Sequence, residues 1–162
     1  MSTFERDNFQ WRETYFVLFD TVKRPSLSRV EKALKGLNSR FRLTAGVADD
    51  DGHFESLTLL SPDDYAALDI SYVSGDEVRE QGESLYQELK SSVADEHERA
   101  QLARLPKCDA RFDLFHFEEL TAGTGGDDPD EMLDPSALLV VLEALARLTK
   151  GVGVDPQSGT LL

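Results

Sequence analysis

The chain is poor in cysteine and has no long apolar run. Cys108 is the single cysteine among 162 residues, so no internal disulfide can form and a disulfide-stabilised secreted scaffold is excluded. Nowhere do about 18 apolar residues follow one another, so no transmembrane helix is predicted. Charged residues are scattered among the first aromatic residues, unlike in a secretory signal. We therefore expect a cytoplasmic protein.

Positive charge is also scarce. The chain has 17 lysines and arginines against 31 aspartates and glutamates, which gives a net charge of −14. Such a surface repels nucleic-acid phosphates and anionic lipid headgroups. We therefore expect neither a nucleic-acid partner nor a membrane partner. The acidity also fits solubility through self-repulsion, adaptation to a salty interior, or a basic protein partner, and composition does not separate these.

Motifs that bind cofactors or carry catalysis are missing. The sequence has no nucleophile elbow, phosphate-binding loop, dinucleotide fingerprint or zinc pattern. Its three histidines, His53, His97 and His116, do not have the spacing of metal ligands. We expect no cofactor, and the sequence does not favour an enzyme.

The first part of the chain is patterned as a strand, a helix and a hairpin. Residues 12–20, RETYFVLFD, form a β-branched and aromatic run that predicts a buried strand. Ser28 and Glu31 have capping-box spacing ahead of apolar residues at helical intervals. Asp51 and Gly52 separate two extended runs and predict a hairpin turn.

The second part contains more helix. Residues 68–73 alternate as a strand. Residues 76–103 have apolar positions at the spacing of one long helix, which we expect to be frayed or broken near residues 93–99. Residues 110–120 predict another strand. Residues 121–135 form an acidic, glycine-rich loop, and residues 136–149 form the most apolar helix.

Two segments of the chain repeat the same pattern. Residues 14–60 and residues 110–162 each predict strand, loop, helix and hairpin, and both contain a Gly-Val pair and end in Thr-Leu-Leu. We predict one domain over 1–162 with an α+β fold: a mixed or antiparallel sheet whose helices pack mainly on one face. Its plan is either two β-α-β-β units or similar to the ferredoxin-like arrangement. Duplication and similar packing needs explain the repeat equally well.

Two groups of side chains are candidates for chemistry at the strand 110–120. His116 alternates with phenylalanines and shares a sheet face with Glu118, as a general base with a carboxylate would. The alternative is a half-buried histidine that makes a structural hydrogen bond. A pocket of roughly 300 Å³ or more, lined by Tyr15 and Phe112, would instead indicate a small-ligand sensor.

Acidic clusters are the candidates for a metal site. Asp127, Asp128 and Asp130 could supply oxygen ligands from the loop 121–135, although acids in that position also complement the dipole of the next helix. The acidic turn at 49–55 lacks the ligand register of a calcium-binding loop and is better explained as a hairpin tip.

The helix 136–149 is apolar around almost its whole circumference, which indicates contact on two sides. The sheet would cover one side, and the helix 76–103, a second copy of the chain or another protein would cover the other. We therefore expect a regulatory or assembly subunit that acts by protein–protein interaction, as part of a homodimer or with another partner. A small enzyme using His116 with nearby carboxylates and a ligand sensor are the alternatives. The predicted interaction residues are Leu138, Val141, Leu142 and Leu145.

Overall fold

The structure is a computed structural model that describes residues 9–62, 65–93, 95–119, 136–157 and 159–161. The strands are β1 Phe9–Phe19, β2 Arg42–Ala48, β3 Phe54–Ser61, β4 Ala66–Ser74, β5 Ala110–Glu119, β6 Val152–Asp155 and β7 Thr160–Leu161. The helices are α1 Leu27–Leu37, α2 Asp76–Leu89, α3 Glu96–Arg104 and α4 Ser136–Thr149.

All seven strands belong to one antiparallel sheet in the order β2-β3-β4-β5-β1-β6-β7. The predicted α+β class is confirmed, and the sheet is antiparallel rather than mixed. The ferredoxin-like plan is not confirmed, because β3 is followed directly by a strand, β4, where that plan has a helix.

The two central strands contribute side chains to both faces of the sheet. Val17 and Phe19 of β1 pack with Phe112 of β5 in a core covered by α1 and α4. Leu18, which lies between them, faces the other side and packs in a second core with Val78 of α2. Alternation along an extended strand produces this division, because successive side chains point to opposite faces.

The helices therefore lie on both faces rather than mainly on one. The apolar run in the middle of β1 indicates the reason, since a strand with one wet face would alternate apolar and polar residues. The predicted long helix 76–103 is two helices, with the break next to the one predicted near residues 93–99. Helix α2 ends at Leu89, and Asp95 caps α3 by accepting the amide of His97 at 2.8 Å. An aspartate at the N-cap position starts a new helix rather than continuing the preceding one.

The predicted order of elements is present in both halves of the chain, but their strand order differs. The hairpin β2–β3 forms one edge of the sheet with β2 outermost, and the hairpin β6–β7 forms the other edge with β7 outermost. The first strand of the hairpin is thus outermost in one half and innermost in the other. Duplication of the segments 14–60 and 110–162 stays a prediction.

The hairpin β2–β3 is held against the start of α1. Gly52 has a φ of 84° in its turn, as the Asp51-Gly52 pair predicts. The amide of Leu27 donates to the carbonyl of Gly52 at 3.0 Å. Ser26 caps α1 by accepting the amide of Arg29 at 3.2 Å, so the helix begins before the predicted capping box at Ser28.

Alanine substitutions at two helical glycines should have opposite effects on stability. A Cβ on Gly82 of α2 would lie 2.3 Å from the carbonyl oxygen of Leu105, so Gly82→Ala forces the backbone apart. We expect it to lower the free energy of unfolding by about 1–3 kcal/mol, as overpacking does. The control is Gly36→Ala in α1, where nothing lies within 4 Å and helix propensity predicts a gain of up to about 1 kcal/mol. Urea denaturation measures both, and a Gly82→Ala variant as stable as the parent would contradict the close approach.

Candidate functional site

A cleft of about 990 Å³ lies between α3 and α4. Because these helices cover opposite faces of the sheet, a cleft that both of them line runs along the edge of β6. Its volume is at the upper end of the range for small-molecule sites. The lining residues are His97, Gln101, Arg104, Leu139, Leu142, Glu143, Ala146, Arg147, Lys150, Gly151 and Gly153.

Helix α4 forms one wall of this cleft. Leu138, Val141, Leu142 and Leu145 are 0–2% exposed and belong to the core of the chain itself. The interaction surface predicted at these four residues is therefore not open to a partner in the single chain, although Leu142 also reaches the cleft. The neighbour of α4 on its face of the sheet is α1, not the segment 76–103. Leu139 and Val140 are each 41% exposed and form the apolar surface that α4 presents to solvent.

The floor of the cleft is the end of β6 that lies nearest to α4. The helix ends with Lys150 in the left-handed conformation, φ 53°, and the amide of Gly151 donates to the carbonyl of Ala146 at 2.8 Å. This is the hydrogen bond of a Schellman motif, and it turns the chain directly from α4 into β6. Gly153 lies on the α4 side of the sheet and has no side chain to occupy the cleft.

Positive charge collects in this cleft. Arg104 of α3 and Lys150 form no ion pair with any other residue that the structure describes. Arg147 is exposed and donates to Glu143, the single carboxylate in the lining. The lining is therefore cationic on a protein whose net charge is −14.

His116 lies outside this cleft, in the interior of the protein. Its side chain shares a sheet face with Leu114 and Glu118, as the strand alternation predicts, and is 6% exposed. Its Nδ1 lies 3.4 Å from Oε2 of Glu13 and has no hydrogen-bond partner among the described residues. Glu118 is also buried and pairs with Arg12 at 3.3 Å. The structure thus brings these two candidates together on one face of β5, both of them buried.

Tyr15 and Phe112, which were predicted to line a pocket, belong to a packed part of the structure. Phe112 is fully buried, with its ring 4.8 Å from that of Phe19 and 5.2 Å from that of Phe54. Tyr15 is half-buried beside the same core. Neither residue lines the α3–α4 cleft.

The acidic turn of the hairpin β2–β3 has a structural role. Asp49, Asp51 and His53 have ligand atoms within 4.8 Å of one another. However, Oδ1 of Asp49 already accepts the amides of Asp51 and His53 at 2.9 Å each, and Oδ2 lies 3.3 Å from Arg24. Hydrogen bonds from the backbone, first from His53, lower the pKa of Asp49. The other metal candidates, Asp127, Asp128 and Asp130, lie outside the described residues.

Two carboxylates on the α2 side of the sheet were not singled out by the sequence. Burial raises the pKa of Asp113, although Nε of Arg111 donates to it at 2.6 Å. Burial also raises the pKa of Asp69, a shift that a hydrogen bond from Thr58 partly offsets. Alternation in strand 68–73 places Asp69 on the sheet face opposite to that of Leu68 and Ile70. Only the strand order shows that the surroundings of Asp69 are partly covered.

The thiol of Cys108 is unsuited to nucleophilic catalysis. Cys108 is 5% exposed, and burial raises its pKa to about 11. Because the thiolate is the reactive form, we expect the folded protein to react with iodoacetamide at pH 8 far more slowly than the protein unfolded in urea. Mass spectrometry of the alkylated protein measures both rates, and equal rates would contradict the burial of this side chain.

The raised pKa of Asp69 predicts a pH dependence of stability. Between the ordinary pKa of an aspartate and the raised one, the folded state binds more protons than the unfolded state, so the free energy of unfolding falls as the pH rises. Asp69→Asn removes the carboxyl group and with it this fall in the free energy of unfolding. We expect the variant to gain stability over the parent at pH 7 and the gain to disappear near about pH 3. Urea titrations across this pH range measure the gain in stability, and Asp50→Asn, at an exposed position, is the control. A gain that does not change with pH would contradict the raised pKa of Asp69.

Comparisons with protein-family models, with curated proteins and with solved structures find nothing that matches this chain. Within the described residues, no helix has both the length and the apolar character needed to cross a bilayer.

Proposed function

We propose that this protein acts by protein–protein interaction and that its α3–α4 cleft holds an acidic chain segment of a partner. The observation that carries the proposal is the collection of positive charge in one cleft of a strongly acidic protein. Arg104, Arg147 and Lys150 line the cleft together with a single carboxylate, Glu143. Complementary charge attracts a partner and selects against segments of the wrong sign.

The shape of the cleft favours a chain segment over a compact ligand. Its lining follows α4 from Leu139 to Lys150. At a rise of about 1.5 Å per residue, this is a length of about 16 Å. An extended chain of about five residues has this length.

The wall of the cleft formed by α4 combines charged with apolar side chains. On the α4 side, Leu139, Leu142 and Ala146 provide apolar surface. A partner segment that combines acidic with apolar side chains therefore fits the cleft better than a purely charged one, since burial of apolar area supplies the larger part of binding free energy.

Lys150 supports a binding role for the cleft. A lysine at φ 53° is in a backbone conformation that glycine or asparagine adopts at lower cost, and the structure places this lysine at the cleft. Its cation thus lies at a position where backbone conformation alone favours glycine. Strain of this kind is common where a side chain is needed for function.

A library of random ten-residue peptides displayed on phage tests the proposal. We expect selection on the immobilised protein to enrich peptides rich in aspartate and glutamate, because the cleft lining is cationic. Their binding should weaken about tenfold or more in Leu139→Asp, which places a like charge in the cleft, a loss of about 1.4 kcal/mol or more. Fluorescence anisotropy of the selected peptides measures the affinity.

Two further variants separate binding from folding. Val140→Asp is the matched control, because Val140 is as exposed as Leu139 but does not line the cleft. The peptide affinity of this variant should stay within about twofold of that of the parent. Lys150→Gly should bind more weakly while gaining up to about 1 kcal/mol of stability. Enriched peptides without an acidic bias, or equal binding by Leu139→Asp and Val140→Asp, would overturn the proposal.

A further inference from the structure

We infer that the partner in the α3–α4 cleft is a second copy of this chain, whose residues 121–135 supply the acidic segment. This inference rests on the proposed function and names the partner that the cleft accepts. Residues 121–135 lie outside the described part of the chain, and it is their sequence that matches the described cleft.

Residues 121–135 have the charge that the cleft lining selects. Five of these fifteen residues are acidic, and none is a lysine or an arginine. The cleft has the opposite balance, because Arg104 and Lys150 form no ion pair with any other residue that the structure describes. Such complementary charge attracts a segment of this composition. The five acidic residues are Asp127, Asp128, Asp130, Glu131 and Asp134.

The same segment carries apolar side chains among its acidic ones. Met132 and Leu133 lie between Glu131 and Asp134. The α4 wall of the cleft is mixed in the same way, since charged side chains accompany Leu139, which is 41% exposed. Burial of apolar area then adds to the attraction between charges. The segment therefore matches the cleft in both of the properties that the proposed function requires.

The acidic turn of the hairpin β2–β3 is a poorer match. Oδ1 of Asp49 already accepts the amides of Asp51 and His53 at 2.9 Å each, and Oδ2 lies 3.3 Å from Arg24. Binding of this carboxylate in a cleft would break the hydrogen bonds that form the turn. Residues 121–135 are therefore the better source of an acidic segment.

The connection to α4 favours a second copy over the segment's own chain. Within one chain the segment is joined to Ser136, where α4 begins, and Arg147 lies about 16 Å farther along the helix. Asp134, two residues before Ser136, is too close to this connection to reach Arg147. The segment of a second copy has no such restriction, and each of its acidic residues can lie against any part of the cleft.

Docking between two copies would be reciprocal. Each copy has one segment and one cleft, so two equal contacts related by a two-fold axis form a closed dimer. The second contact then forms within the complex, which makes the dimer more stable than a single segment in a single cleft. The net charge of −14 on each copy opposes association, but at physiological ionic strength charges more than about 8 Å apart are largely screened.

Sedimentation velocity of the full chain at about 0.1 mM tests the inference with two variants. Leu139→Asp changes the cleft, and the combination of Asp127→Asn, Asp128→Asn and Asp130→Asn changes the segment. We expect the parent to form a dimer. Each variant by itself should dimerise at least about tenfold more weakly, because both of its contacts lack one partner.

An equal mixture of the two variants separates docking from damage to the fold. In the mixture, the intact segment of the Leu139→Asp chain can enter the intact cleft of the other chain, so we expect association to be partly restored. The control for net charge is the combination of Glu80→Gln, Glu83→Gln and Glu88→Gln at exposed positions of α2. It removes the same number of charges and should dimerise within about twofold of the parent.

A synthetic peptide of residues 121–135 tests the contact directly. Its receptor is the segment variant, because the clefts of that variant lack their docking partner. We expect the peptide to bind, and a peptide with asparagine at the same three positions to bind at least about tenfold more weakly. Fluorescence anisotropy measures both affinities.

The outcomes distinguish the inference from the proposed function. A monomeric parent, dimerisation that neither variant weakens, or a mixture that does not associate would overturn docking between copies. Acidic peptides from the displayed library that depend on Leu139 would still support the cleft as a binding site for another protein. If the library yields no such peptides, the proposed function fails and the inference fails with it.

Discussion

The pairing of β1 with β5 at the centre of the sheet is the interaction on which the rest of the structure depends. These are the two longest strands, and their register joins Phe19 to Ala110 and Phe9 to Glu119. Val17 and Phe112, which are paired across it, belong to the core under α1 and α4, whereas Leu18 belongs to the core under α2 and α3. Each face of this strand pair removes apolar area from water in one of the two cores. Neither helical layer would have a surface to cover if the pair did not form.

The cleft follows from how the sheet continues beyond β1. On the β5 side, the long strands β4 and β3 extend it, but on the other side β6 has four residues and β7 has two. The helices α3 and α4 reach past this short edge from opposite faces, and the space between them is not filled by a strand of the described chain. The short strands at this edge thus leave a cleft, and Arg104, Arg147 and Lys150 give its lining a charge opposite to that of the whole protein.

The sequence predicts local structure well and the candidate site hardly at all. The Asp51-Gly52 turn, the helix 136–149 and the shared face of His116 and Glu118 all follow from residue chemistry within a few positions. A break in the helix 76–103 is predicted near residues 93–99, and the cap at Asp95 is the local signal that starts α3 there. The cleft depends on α3 and α4 meeting at one sheet edge, which strand order decides and no sequence pattern contains.

Interstrand contacts between β1 and β5 test the account most directly. In an antiparallel pair, neighbouring residue pairs alternate between wide and close approach of their α-carbons. An NMR spectrum of the labelled protein should therefore show a strong contact between α-protons for one of the two neighbouring pairs Val17–Phe112 and Leu18–Arg111. Such contacts from β1 to β2 or β3 instead of β5 would contradict the central pairing, and with it the position of the β6 edge.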